Sequence, residues 1–150
     1  MVDNLDVKIL GALMVDGRVT WSDLASQCGV SSPAISDRVR RLEKRGIIQG
    51  YRVVVDPVQL GYDVTAFVAV VLEHPKYRQG FLDYVQTTSA IQECHHVAGD
   101  GDYLLKVRCG KIADLEQILS EEIKGLPGIL QTKTSIALST VKETTALAVE

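Results

Sequence analysis

The stretch SSPAISDRVRRLEKRG, residues 31 to 46, opens on two serines and a proline and closes on a glycine. Serine is a favoured N-cap because its hydroxyl accepts from a backbone N–H that the first helical turn leaves unpaired. Proline suits the first helical position for the same reason. At about 100° per residue, Ile35, Val39 and Leu42 fall within about 60° of one another and form one buried stripe. The opposite side carries Pro33, Asp37, Arg40 and Lys44, flanked by Ala34 and Arg41. Arg38 and Arg45 lie nearer the stripe and reach sideways. Ser32, Ala34 and Ser36 are small enough to let the helix start approach a groove floor, and the arginines further along suit phosphates or guanine edges.

An isolated charge run reads first as a solvated helix face. Its neighbours change that reading. LDVKILGALMVDG places Leu5, Ile9 and Leu13 on one helical stripe, ended by Asp16-Gly17. Thr20-Trp21-Ser22-Asp23 resembles a capping box for a short helix from about Ser22 to Cys28, which stops at Gly29. Two short helices joined by a glycine-containing turn, after a leading helix, make a helix-turn-helix whose second helix reads DNA. Asp37 on the reading face accepts from a cytosine amino group or holds Arg40 or Arg41 in place; the residues leave both open.

Charge supports this assignment locally and not globally. The net charge is −3, yet residues 1–50 carry seven Lys/Arg against six Asp/Glu, while residues 51–150 carry nine against thirteen. Within Arg38 to Arg45 five of eight residues are basic and one is acidic. Screening limits charge effects to about 8–10 Å at physiological salt, so this patch outweighs the total. The composition, 46% hydrophobic and 23% charged, is that of a globular protein. The longest apolar stretch, which contains Phe67 to Leu72, is far too short for a membrane span, and MVDNLDVK lacks the basic start of a secretory signal. A cytoplasmic protein without membrane partners is expected. Cys28, Cys94 and Cys109 are odd in number and have no CxxC spacing, which argues against a disulfide framework or zinc knuckle.

Downstream, Ile47 to Val55 reads as extended chain closed by Asp56-Pro57, and the domain boundary is expected between about residues 50 and 62. Val64–Glu73 reads as a strand, apolar enough for burial on both sides. Tyr77–Thr88 reads as a helix with Phe81, Leu82 and Val85 inward. Ile91–Ala98 and Asp102–Arg108 read as strands. Lys111–Lys124 reads as a helix burying Ile112, Leu115, Ile118 or Leu119, and Ile123. It stops at Leu126-Pro127-Gly128, and Ile129–Val141 reads as a last strand. The expected fold class is α+β: an N-terminal three-helix, winged-helix-like helix-turn-helix domain (1–50), a linker strand (51–61), and a C-terminal ferredoxin-like βαββαβ domain (62–150). Helices on one face leave the other face of the sheet uncovered, which predicts two sheets packed across a homodimer.

The chain resembles the Lrp/AsnC (leucine-responsive, feast/famine) regulators. The landmarks are Leu5-Asp6, Ile9-Leu10, Asp16-Gly17-Arg18, Leu24-Ala25, Val30-Ser31, Arg38 to Leu42, Gly46-Ile47-Ile48 and Gly50-Tyr51. Cys94, Val97, Gly99-Asp100, Asp102 to Leu105 and Thr134 to Lys142 extend the resemblance over nearly the whole chain. It implies a DNA-binding regulator that works as dimers, often assembled to octamers, with a second domain that dimerises and senses amino acids between dimers. The residues expected on DNA are Ser32, Pro33, Ala34, Ser36, Asp37, Arg38, Arg40, Arg41 and Lys44.

HHVAGDGDYLLKV, residues 95 to 107, holds the second candidate site. A phosphate cradle needs a helix after its glycines, and here a strand-like run follows two aspartates that repel phosphate. An EF-hand needs a longer series of oxygens ending in Glu. Cys94 and His96 share a strand face, but two ligands do not make a zinc site. Asp100-Gly101 reads as a tight hairpin turn with positive φ angles. The resemblance implies that this turn also lines the effector pocket. Its glycine amides suit a carboxylate and Asp100 or Asp102 an amino group, with Thr132 and Thr134 as further lining. The expected effector residues are therefore Gly99, Asp100, Gly101, Asp102, Thr132 and Thr134. Family members often carry a bulky residue where this chain has Gly101. No metal or cofactor is expected. His74, His95 and His96 form no catalytic set, so an enzyme is the weakest reading, and the alternative to a specific regulator is an architectural protein that organises DNA with little base preference.

Overall fold

A computed structural model describes residues 2–149 and divides them into two compact units. The first runs to Val54 and also takes in the tail from Lys142 onward; the second spans Val55–Val141. The tail, expected at the end of the second domain, groups with the first unit.

Three helices make the first unit: α1 (Asn4–Val15), α2 (Trp21–Cys28) and α3 (Ser32–Lys44). Each start is capped by a side chain that satisfies otherwise unpaired amides. Asp3 accepts from the N–H groups of Leu5 and Asp6, and the Asp6 carboxylate accepts in return from Asp3 N–H. Thr20 accepts from Asp23 N–H, and Ser31 from Ala34 N–H. The α3 cap is thus Ser31, and Pro33 is the second helical residue, where its missing N–H is equally harmless. Gly29 ends α2 at φ 68°, a left-handed conformation that suits glycine. Ile9, Leu24, Ala25, Ile35, Val39 and Leu42 form the core of this unit.

Residues 51–56 form no regular strand. An extended segment becomes a strand only by pairing with another, and none pairs with it within the chain. A single turn (Val58–Leu60) follows.

The second unit is β1 (Val64–Leu72), α4 (Arg78–Thr87), β2 (Ile91–His96), β3 (Tyr103–Cys109), α5 (Ile112–Gln117) and β4 (Ile129–Ile136). The sheet order is β2-β3-β1-β4 with every neighbouring pair antiparallel, the ferredoxin-like arrangement. The even residues Val64, Ala66, Val68 and Val70 are buried with Tyr103, Leu105 and Val107 against Phe81 and Val85 of α4 and Leu115, Ile118 and Ile123. Ile112 is 56% exposed and not part of this core, because it is the first residue of α5. The second half of the expected helix is a π-helical turn, Ile118–Ile123, in which Lys124 N–H donates to Leu119 O. Strand β4 stops at Ile136, not Val141, because its partner β1 runs out: Ile136 pairs with Ala66, and Ala137 N–H makes the last bond, to Thr65 O. Gly128 (φ 79°) leads into β4, and a Cβ there would lie 2.0 Å from Cδ2 of Tyr77. No other residue fits.

Within this chain β1 is buried on one face only. Phe67 on the other face is 40% exposed and Leu104 beside it 36%. The even/odd alternation is real, and apolar Phe67, Ala69 and Val71 on the uncovered face hide it in the sequence.

Candidate functional site

Helix α3 buries Ile35, Val39 and Leu42 and presents the face expected from its sequence. Pro33, Asp37, Arg40, Arg41 and Lys44 are exposed, and Ser32, Ala34 and Ser36 half-buried along its start. The start of α3 therefore offers small side chains and its second half cations. Asp37 forms an exposed ion pair with Arg41 one turn on, at 2.5 Å. Of the two cations considered in sequence, Arg41 is its partner. Towards the end of α3, Arg38, Arg41, Lys44 and Arg45 line a shallow groove of about 300 Å³ with Asp6 and Leu42.

Arg38 is the exception on this helix. Its guanidinium bridges Asp3 and Asp6 at the start of α1, and the Asp6 side chain is only 4% exposed. The Asp3 carboxyl is held below the usual range by the backbone N–H of Asp6 and then by the Arg38 guanidinium. Arg38 thus fastens α3 to α1. Its sideways position was legible in the helix; its partners, more than thirty residues away, were not. Tyr51, absent from the expected set, donates its hydroxyl to Glu43 of α3 at 3.0 Å. Burial, then Glu43, pushes that phenol up to about 12.

In the second unit Val97–Asp102 connects β2 to β3. The turn is not the expected type with positive φ at Asp100-Gly101: neither residue has positive φ, and Gly99 at 154° takes the glycine-favoured backbone. The connection is longer than a two-residue hairpin loop and is held by Val97 N–H to Asp102 O at 3.0 Å. Asp102 is also tied to β1: its N–H donates to Val70 O at 2.9 Å, and its carboxylate accepts from Leu72 N–H at 2.7 Å. That bond falls where the β1–β4 register slips between Val71 and Leu72. Asp100 is exposed. Gly101 lies beside Ala69 of the uncovered face, and a Cβ there would meet Ala69 Cβ and Val70 O at 3.5 Å, ordinary contact distance.

Thr132 and Thr134 pair with Val70 and Val68, so they belong to the helix-facing side of β4. Thr132 and Tyr103, the residue after Asp102, flank Val70 of β1, about 10 Å apart across two strand spacings. The structure brings the threonines to the right end of the sheet but to the face opposite Gly101. Lys133, paired with Ala69, shares the uncovered face with Gly101. Alternation along β4 was the signal that finds it.

The histidines have ordinary partners. His74 accepts from Lys76 N–H, His95 meets Glu93 at 3.2 Å, and His96 stacks on Tyr103 with centroids 5.0 Å apart. Cys94 packs against the core, and burial raises its thiol pKa. Among the described residues no cluster of three His, Cys, Asp or Glu could hold a metal ion, and no helix is long and apolar enough to cross a membrane.

Comparison with known proteins matches both halves. Residues 2–49 match a winged helix-turn-helix DNA-binding family, and residues 65–147 the Lrp/AsnC ligand-binding domain. The leucine-responsive regulatory protein of Escherichia coli is 36% identical over 151 residues, covering 99% of this chain and 92% of that protein. The structure of E. coli AsnC superposes with a TM-score of 0.91 at 35% identity, covering 97% of this chain and 98% of the other. The feast or famine regulatory protein of Mycobacterium tuberculosis, in complex with L-methionine, gives 0.91 at 32% identity, covering 98% and 99%. These relatives are regulators, not enzymes. With both domains matched and a reading helix capped, stripe-buried and basic on its outer face, the chain belongs to the Lrp/AsnC family of DNA-binding transcriptional regulators.

Proposed function

We propose that this regulator seats α3 in the major groove, with Ser32, Pro33, Ala34 and Ser36 against the groove floor and Arg40, Arg41 and Lys44 on phosphates or base edges. One observation carries this reading: the residues that α3 does not bury against its own unit are its small start and its cations. Asp37 orients Arg41, and Arg38 holds the helix from behind. Residues 1–50 read DNA, 51–61 connect, and the part from 62 senses and assembles. The working form is a cytoplasmic homodimer joined through the sheet face that bears Phe67 and Leu104, and dimers associate further, to octamers. Two linked reading helices then engage two half-sites together.

The effector in this reading is an amino acid seated against the Gly99–Asp102 connection. Asp100 is the carboxylate for the amino group, since Asp102 is engaged by Leu72 N–H. Lys133 joins the pocket from the same face, and Thr132 and Thr134 act from behind the strand. The relative solved with L-methionine supports this ligand class. Anisotropy with the chain's own promoter and with random DNA tests the DNA reading: preference of about 10³-fold or more is expected. Equal affinity for both would establish the architectural alternative. Calorimetry against the standard amino acids tests the effector, and no heat at millimolar ligand would remove it.

A further inference from the structure

Helix α1 carries two apolar stripes, with Asn4 and Lys8 on a narrow exposed edge between them. Leu5, Ile9 and Leu13 face α2 and α3, and Val7, Gly11 and Met14 form a second stripe within about 60° on the opposite side. A helix with two apolar stripes is best covered on both. Val7 and Met14 lie outside the core of the unit, yet both are half-buried, whereas Val15 on the same helix is 91% exposed. What reaches the second stripe is the tail. The segment from Lys142 onward belongs to this unit, and its Val149 is half-buried where Leu147 is 74% exposed. A Cβ built on Gly11 would meet only Val149 Cγ2, at 3.8 Å. Glycine in mid-helix weakens the helix, and here its backbone is ordinary, so conformation does not require it. It is the low point of the stripe, and Val149 lies over it.

We propose that the tail from Lys142 is a strap, exposed along residues 142–148 and anchored by Val149 on the Val7–Gly11–Met14 stripe, that links the sensing unit to the reading helix. The connection is short and continuous. Strand β4, with Thr132 and Thr134, leads through residues 137–141 into the strap; the strap rests on α1, and α1 is clamped to α3 through Asp3, Asp6 and Arg38. A ligand that shifts β4 changes the tension on the strap and with it the setting of α1 and α3. The coupling half of this proposal rests on the effector reading above; the docking half does not.

Two measurements on the full chain separate them. In a methyl-labelled sample, nuclear Overhauser contacts between the Val149 methyls and Gly11 Hα are expected, and are expected to vanish in Gly11→Leu. That substitution points away from the core and improves helix propensity, so α1 stays folded. No contact in the wild-type chain, or a contact seen only between differently labelled copies, overturns the strap. DNA affinity is then measured with and without amino acid in wild type, in Gly11→Leu and in a chain ending at Lys142. An effector response in the usual span of about 5- to 150-fold should fall to about onefold in both variants, with affinity in the absence of effector retained. A variant that responds like wild type overturns the coupling. A wild-type chain with no response to any amino acid refutes the effector reading, and the methyl contact alone then decides the docking.

Discussion

Arg38 and Arg40 stand two residues apart on α3 and illustrate how position on a helix divides one residue type between two duties. Arg38 is committed to Asp3 and Asp6, and Arg40 points outward. Arg40→Ala should leave the thermal midpoint unchanged, as exposed substitutions usually do within about 0.5 kcal/mol. Operator affinity should drop, by about 1–3 kcal/mol with relaxed choice at one base pair if it reads a base, or with a salt slope smaller by about one if it meets a phosphate. Arg38→Ala should do the reverse order of harm: a lower midpoint, measured by calorimetry, with DNA binding weakened only through the loosened helix. Asp3, held low first by the Asp6 N–H at the helix cap and then by Arg38, sets an acid limit. A carboxyl depressed in the folded state, as Asp3 is, contributes stability that is full above its unfolded pKa of about 4 and is lost as pH falls through the folded value. Asp3→Asn should therefore reduce the midpoint at neutral pH and flatten its fall on acidification, read from melts across pH 2–6.

At the scale of elements, what was legible in the sequence was local. The α3 stripe, its glycine and serine boundaries and the β-α-β-β-α-β order depend on neighbours within a turn or a strand, and the sequence states those neighbours. What escaped depends on register and on distant partners. Thr132 and Thr134 were rightly placed on the last strand but on the wrong face for the turn, because the face is set by pairing with Val70 and Val68. Asp100-Gly101 looked like a tight turn because its letters suit one, yet the tie from Asp102 to Leu72 draws the connection out. This gives a contrast between the two aspartates. Asp102→Ala leaves Leu72 N–H without its partner and should cost about 1–3 kcal/mol in urea melts. Asp100→Asn should leave stability within about 0.5 kcal/mol and act on effector binding alone. Equal losses at both positions would mean that the turn is structural throughout.

The whole molecule is decided by the sheet face its own helices leave uncovered. A face bearing Phe67 and Leu104 is too apolar to suit water and too interrupted by Glu93, Lys106 and Arg108 to be a core, a composition that fits the self-contact proposed above. On the isolated chain both positions are exposed by more than a third, so Phe67→Asp with Leu104→Asp should be tolerated by the fold, with the far-ultraviolet spectrum unchanged. Across a two-fold axis the same change sets like charges against one another in a desolvated seam. Sedimentation should then show the chain moving from oligomer to monomer. The consequence for DNA follows from linkage: a monomer brings one α3 to one half-site and forfeits the effective concentration that the paired helix supplies. Affinity for an intact operator should fall by about 10²- to 10⁴-fold, while affinity for a single half-site stays as it was. A double variant that remains oligomeric would move the interface elsewhere, and a monomer that binds the full operator as tightly as wild type would detach DNA recognition from assembly.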